Sequence, residues 1–103
     1  MTDRKRPERG AIYTPEYQTF LVELRGARER AGLTQAELAQ RLNRSQSFIT
    51  KAETGDRRLD IAQLVFICRA LGISLPDFID RYDAALQHGW LSGEDIQAAA
   101  DDR

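Results

Sequence analysis

The 103-residue sequence predicts an all-α fold of five helices. Apolar residues recur at steps of three and four, the spacing of one face of an α-helix, and we find no strand-like alternation of apolar and polar residues. Capping residues begin the apolar runs, and glycine or asparagine ends them, which sets the expected helix boundaries. The length suits one compact core and is too short for two.

The first helix is expected to begin at Thr14. Its hydroxyl can accept a hydrogen bond from an early amide, Pro15 has a φ close to the helical value, and Glu16 places a negative charge in the first turn. An apolar stripe follows, made of Tyr17, Phe20, Leu21, Leu24, Ala27 and Ala31. Gly32 is expected to end the helix, because glycine adopts the left-handed conformation without steric cost.

A very short turn separates the second and third helices. Thr34 and Glu37 have the spacing of a capping box, so the second helix is expected to begin there. Asn43 should end it, since asparagine enters the left-handed region more readily than most residues. Ser45 then caps the third helix. Two helices of about eight or nine residues joined so tightly must cross steeply, as in a helix-turn-helix unit.

A fourth helix is expected over 60–71, followed by Gly72 as its stop. Its predicted core residues are Ile61, Leu64, Val65, Cys68 and Leu71. Phe66 and Ile67 then exceed what one helix face can bury.

The fifth helix is expected to begin at Ser74, three residues before Asp77. Its apolar residues are Phe78, Ile79, Tyr82 and Leu86. Beyond Gly89 the periodicity weakens, and 91–96 could form a short sixth helix.

Composition excludes several classes of protein. With 42% hydrophobic and 30% charged residues, the chain should fold rather than stay disordered. No apolar run approaches the ~20 residues of a membrane span, and the charged N-terminus lacks the apolar segment of a secretory signal. Cys68 is the one cysteine, which excludes an intrachain disulfide and a cysteine-cluster metal site. We therefore expect a cytoplasmic protein.

Catalytic chemistry is also missing from the sequence. Neither of the common glycine-rich phosphate-binding motifs occurs. His88 is the one histidine and has no ligand spacing around it, while Cys68 lies on a core face, where a small buried residue is favoured over a redox sensor. We expect no enzymatic activity, no metal and no cofactor.

Charge is distributed unevenly although the net charge is −1. Residues 1–58 carry 12 Lys and Arg against 8 Asp and Glu, whereas residues 59–103 carry 3 against 8. A basic front half suits an anionic partner, because local charge matters more than the sum. An accidental asymmetry of a solvated surface gives the same counts, so charge alone does not identify the partner.

The segments GLTQAELAQ at 32–40 and SQSFITKAETG at 45–55 resemble the phage-repressor-like (Xre/Cro-type) helix-turn-helix family. The likeness covers about residues 17–83. It rests on the small Ala39 between the two helices, the turn residue Asn43, and the inward residues Leu38, Leu42, Ile49 and Ala52. It implies a five-helix repressor-like bundle that binds DNA. Arg44, Phe48 and Ala52 depart from the residues usual at their positions in the family.

The resemblance also implies a buried ion pair between Arg28 and Glu53. Arg28 lies on the apolar stripe of the first helix, where an unpaired guanidinium would be costly. In the family, an arginine and a glutamate at the matching places fix the recognition helix against the first helix. A structural role is therefore favoured over a DNA contact for both residues.

The third helix, at 45–53, is the predicted recognition helix, because the major groove of B-DNA admits an α-helix. Its outward residues are Gln46, Ser47, Thr50 and Lys51, which we expect to read base edges. Gln46 is the strongest candidate, since glutamine can form two hydrogen bonds with adenine. The alternative is an ordinary solvated helix face. Phe48 could contact a thymine methyl group or pack against the second helix.

Phosphate contacts are expected beside this helix. Family members bond a phosphate at the position of Gln35, where the dipole of the second helix also attracts an anion. Arg44, Arg57 and Arg58 flank the recognition helix and add positive charge. The basic arm at 1–13 could follow a DNA groove or be solvated.

The expected organisation is the arm at 1–13, a DNA-binding domain at 14–87 and a C-terminal extension at 88–103. One such domain covers a half-site, so we expect a homodimer on palindromic double-stranded DNA, acting as a repressor. Apolar residues beyond Pro76 exceed the needs of the core, which makes Trp90 a candidate dimer anchor. A closed monomeric core with Trp90 folded back is the alternative to a dimer. The alternative is an antitoxin-like or co-activator module that contacts a partner protein through the C-terminal region.

Overall fold

A computed structural model describes residues 14–88, apart from the side chain of His88, and this part of the chain forms five α-helices without any strand. They are α1 (Pro15–Arg30), α2 (Gln35–Leu42), α3 (Gln46–Thr54), α4 (Ile61–Leu71) and α5 (Leu75–His88). The predicted all-α, five-helix class is confirmed. The arm at 1–13, the possible sixth helix at 91–96, Trp90 and residues 89–103 of the extension lie outside the described residues.

Side-chain caps begin the short helices where the sequence predicts them. The Thr34 hydroxyl accepts from the Glu37 N–H at 3.0 Å, and the Glu37 carboxylate accepts from the Thr34 N–H at 2.9 Å. Ser45 accepts from the third residue of α3 in the same way. Asp60 and Gln63 form a second reciprocal capping box at the start of α4. Each cap is worth about 1 kcal/mol, so together they fix where these helices begin.

The turn between α2 and α3 depends on Asn43. It has φ 56°, ψ 43° and is the one non-glycine residue with positive φ within 14–88. The next N–H, that of Arg44, donates to the carbonyl of Ala39 at 2.9 Å and closes the end of α2. Ser45 caps α3 immediately afterwards. The chain therefore reverses within three residues, and α3 must cross α2 steeply.

The core lies between all five helices, and each of them contributes side chains to it. The buried apolar residues that form it are Phe20, Leu21, Leu24, Ala27, Leu38, Ala39, Phe48, Ile49, Leu64, Ile67, Cys68, Leu71 and Phe78. The ring of Phe20 meets those of Phe78 and Tyr82 edge-on at 5.8 and 5.7 Å. The Tyr82 hydroxyl donates to the carbonyl of Glu16 at 2.8 Å, which joins the late part of α5 to the start of α1.

The apolar face of α4 differs from the predicted one. The sequence predicts Ile67 to be surplus to the core, but it is 2% exposed and belongs to the core, because it stands three residues after Leu64 and four before Leu71. The sequence predicts Ile61 to be a core residue, but it is 62% exposed. It is the first residue of α4, where the helix reaches the edge of the core. In α5, Ile79 is also exposed.

We predict that the native chain protects Cys68 from thiol reagents. Its side chain is buried, and burial raises the pKa of the thiol, so little reactive thiolate forms near neutral pH. Labelling by iodoacetamide should be at least ~100-fold slower in buffer than in concentrated guanidinium chloride, because it requires opening of the core. The chain has one cysteine, so mass spectrometry follows a single site. Equal rates in the two solvents would contradict this placement.

Candidate nucleic-acid interface

Helix α3 has one face against the core and one face in solvent. Ile49 and Ala52 are each 1% exposed and hold α3 against the helices behind it. Gln46, Ser47 and Lys51 are exposed on the other side. Ser47 and Lys51 are four apart and therefore lie on the same side of α3, and Gln46 is exposed in the first turn beside Ser47. We call these three side chains the polar strip. Three of the four predicted base-reading residues are thus brought together on the outer surface.

Thr50, the fourth, is half-buried and bonded within the protein. Its hydroxyl donates to Oε1 of Gln35 at 2.8 Å. Nε2 of Gln35 in turn donates to Oε1 of Glu53 at 3.0 Å. The hydroxyl proton of Thr50 is therefore already used in a hydrogen bond within the protein. The side-chain amide of Gln35 is bonded to α3 and is not free in solvent. Gln35 keeps its place as the first residue of α2, where the helix dipole favours an anion.

Arg28 and Glu53 form a buried, two-pronged ion pair between α1 and α3. Nε of Arg28 donates to Oε2 of Glu53, and Nη2 donates to Oε1 at 3.0 Å. The two side chains are only 9% and 5% exposed. The third donor, Nη1, bonds the carbonyl of Leu33 at 2.8 Å. Hydrogen bonding to the Glu53 carboxylate outweighs burial and raises the pKa of Arg28, so the guanidinium stays charged.

This pair is part of a fully satisfied polar cluster. Every buried side-chain nitrogen and oxygen within 14–88 has a hydrogen-bond partner. Glu53 accepts from both Arg28 and Gln35, so its carboxylate joins α1, α2 and α3. The resemblance predicts the pair itself, whereas the Gln35 and Thr50 bonds are additional. Sequence alone offers no signal for them, because Gln35 and Thr50 lie on different helices.

Arginines lie at both ends of α3. The Cζ atoms of Arg44 and Arg57 lie 3.9 and 5.1 Å from the ring centre of Phe48. Arg58 lies 5.7 Å from the ring centre of Tyr17. All three arginines are exposed, but the Phe48 ring is only 7% exposed. Phe48 therefore packs inside the domain. Of the two roles that the sequence leaves open, this favours packing over contact with a thymine methyl group.

Residues 14–88 also bear on the requirements of a metal site and of a membrane-spanning helix. Within the described residues, no three histidine, cysteine or acidic side chains are close enough together to hold a metal ion. No single helix of that region is long and apolar enough to cross a membrane. Only α4 and α5 taken as a pair, with 105° between them, meet the length and composition required.

Comparisons with known proteins agree with this geometry. Residues 20–78 match the family model of a helix-turn-helix domain. The solved structure of an XRE-family like protein from Pseudomonas syringae pv. tomato str. DC3000 shares 35% sequence identity and a TM-score of 0.65. That match covers 84% of this chain and 100% of the other. Among curated proteins there is no match.

The α2–turn–α3 unit and its exposed polar strip define a helix-turn-helix protein of the DNA-binding class. Within that class, the chain belongs to the Xre family of regulators.

We predict that Arg28→Ala destabilises the domain by about 3–5 kcal/mol, because Glu53 is left as a buried charge without its main partner. Arg25→Ala is the matched control, since Arg25 pairs with Glu29 at 3.4 Å on the exposed side of the same helix. That change should cost less than ~1 kcal/mol. Urea unfolding followed by circular dichroism measures both variants. Equal stabilities for the two variants would argue against the structural role of the buried pair.

Proposed function

We propose that this chain is a transcriptional repressor that binds a palindromic operator as a homodimer and reads each half-site with α3. One observation carries the proposal: the outer face of α3 presents short polar side chains, and exposed arginines stand at both of its ends. An α-helix fits the major groove, and the arginines suit the phosphates on either side. Occupation of promoter DNA in the cytoplasm would then block transcription.

The proposed base-reading residues differ in how freely their side chains can move. Gln46, Ser47 and Lys51 are exposed and able to turn toward base edges. We assign the main contact to Gln46, which is the first residue of α3 and has an amide that matches adenine. Thr50 has its proton committed to Gln35, so it offers an acceptor oxygen and a methyl group instead of a donor.

The phosphate-binding residues flank this strip. We assign Arg44, Arg57 and Arg58 to the DNA backbone, where they supply affinity without sequence preference. Gln35 contributes through its position at the start of α2, because its side-chain amide is bonded to Glu53 and Thr50. There the partial positive charge of the helix terminus favours a phosphate.

The proposed dimer contact involves exposed apolar residues near the start of α4 and the middle of α5. Ile61 and Ile79 line one shallow groove together with Tyr17 and Leu59. Exposed isoleucines at a common site favour association with a second copy. We place the contact there, extended by the residues that follow α5, with Trp90 as the candidate anchor.

A second candidate function is protein recognition by an antitoxin-like or co-activator module. A groove of about 440 Å³ between α2, α3 and α4 favours it. Phe66, 58% exposed, lies at this groove, and Arg41, Arg44 and Arg69 line it without any carboxylate from the described residues. An acidic partner segment would suit these charges.

We predict that in-vitro selection from randomised DNA yields a palindrome, and that Gln46→Ala weakens binding to it by about 1–3 kcal/mol. Affinity for unrelated DNA should change little, because Gln46 is assigned to bases rather than phosphates. Gln87→Ala, a change at an exposed glutamine of α5, is the control and should bind like the wild type. Gel shifts at several salt concentrations measure the binding of the wild type and of both variants. Binding without a selected sequence, and with steep salt dependence, would favour the protein-recognition function instead.

We predict a mass near twice 11.7 kDa in light scattering at high protein concentration. Ile79→Asp should shift the population to the monomer, because it places a charge in the proposed apolar contact. Val22→Asp is the control, since Val22 is an exposed apolar residue on the outer side of α1. A wild-type chain that stays monomeric throughout would exclude the dimer.

A further inference from the structure

Two arginines that lie on either side of α3 in the sequence converge on one aromatic ring. Arg44 precedes the cap of α3, and Arg57 follows the end of the helix. Their guanidinium carbons lie 3.9 and 5.1 Å from the centre of the Phe48 ring. Both distances fall within the range of cation–π attraction. Phe48 is therefore a common support for two exposed cations.

The support is rigid. The Phe48 ring is 7% exposed and belongs to the core cluster, so close packing fixes its position. The backbone of each arginine is also fixed: the Arg44 N–H donates to the Ala39 carbonyl at 2.9 Å, and the Arg57 N–H donates to the Lys51 carbonyl at 3.0 Å. What remains free is the long side chain of each arginine, and the ring restricts it.

The arrangement suits an external anion. Arg44 and Arg57 belong to none of the ion pairs that the structure shows within residues 14–88. Two positive charges beside one ring repel each other, and a nearby anion would relieve that repulsion. The DNA backbone provides closely spaced negative charges along its whole length. Arginine also forms paired hydrogen bonds with a phosphate.

We infer that Phe48 is a positioning residue that holds Arg44 and Arg57 as one phosphate-binding pair at the edge of the α3 surface. This inference rests on the proposed function. Phe48 itself touches no DNA in this scheme. It reduces the number of side-chain conformations that the two arginines lose on binding, and so raises affinity for any DNA sequence alike.

The test is a mutant cycle on the full chain with a DNA duplex at several salt concentrations. Phe48→Leu should weaken binding about tenfold or more and lower the slope of log K against log salt by about 1–2, as if one or two phosphate contacts were lost. In the Arg44→Ala/Arg57→Ala background the same change should have no further effect. Phe48→Tyr keeps the ring face and should keep the wild-type slope.

Phe78→Leu is the matched control, because Phe78 is a core ring that neither of these arginines contacts. It should lower the melting temperature and leave the salt slope unchanged. Phe48→Met, with a flexible side chain that fills the core, replaces Phe48→Leu if the latter fails to fold. If Phe48→Leu lowers DNA affinity equally in the wild-type and Arg44→Ala/Arg57→Ala backgrounds, the inference is overturned. The proposed function is not, because the wild-type chain still binds DNA.

A second measurement needs no DNA. Protons on the Arg44 side chain next to the Phe48 ring should show upfield ring-current shifts by NMR, and these should vanish in Phe48→Leu. Unchanged shifts overturn the support role whatever the chain binds. A wild-type chain that binds no DNA overturns the proposed function, and with it the phosphate role of the arginine pair, even where the ring-current shifts are present.

Discussion

The ion pair between Arg28 and Glu53 is the interaction on which the orientation of α3 depends. A helix of nine residues is marginal on its own, so the placement of α3 depends on its contacts with the rest of the domain. Arg28 supplies a rigid fork from α1 that bonds Glu53 in α3 and the carbonyl of Leu33 before α2. Its net contribution to stability is small, because both charges leave water, but any other placement of α3 leaves a buried charge unpaired. The pair therefore selects one geometry more than it strengthens the fold.

The Glu53 carboxylate also connects the ion pair to the surface of α3. Glu53 accepts from Gln35, and Gln35 accepts from Thr50, so a continuous path of hydrogen bonds runs from α1 to the edge of the polar strip. Networks of this kind lose little entropy when a ligand arrives, because their side chains are already ordered. Thr50 is thus oriented from within the domain, whereas Gln46 and Lys51 on the same helix are free to adapt.

Sequence predicts the local features of this fold well. The caps at Thr34 and Ser45 and the left-handed turn at Asn43 follow from the chemistry of single residues, and they set the crossing of α2 and α3. Ile61 and Ile67 show the limit, because periodicity gives a helix face but not the point at which neighbouring helices stop covering it. The Thr50 bond to Gln35 and the approach of Arg57 to Phe48 depend on how separate segments meet, which spacing along the chain does not encode.

Two structural demands on α3 limit which of its side chains are free to contact DNA. Its inner face packs against the core through Phe48, Ile49 and Ala52, and Glu53 is used by the ion pair. The freely exposed side chains left on the predicted strip are Gln46, Ser47 and Lys51. At about 1–3 kcal/mol for each good base contact, three side chains would discriminate only weakly between DNA sequences at a single half-site. Under the proposed function, affinity would come mainly from arginines on the phosphates, and sequence discrimination from joining two half-sites. This is the physical reason for proposing that the domain acts as a dimer.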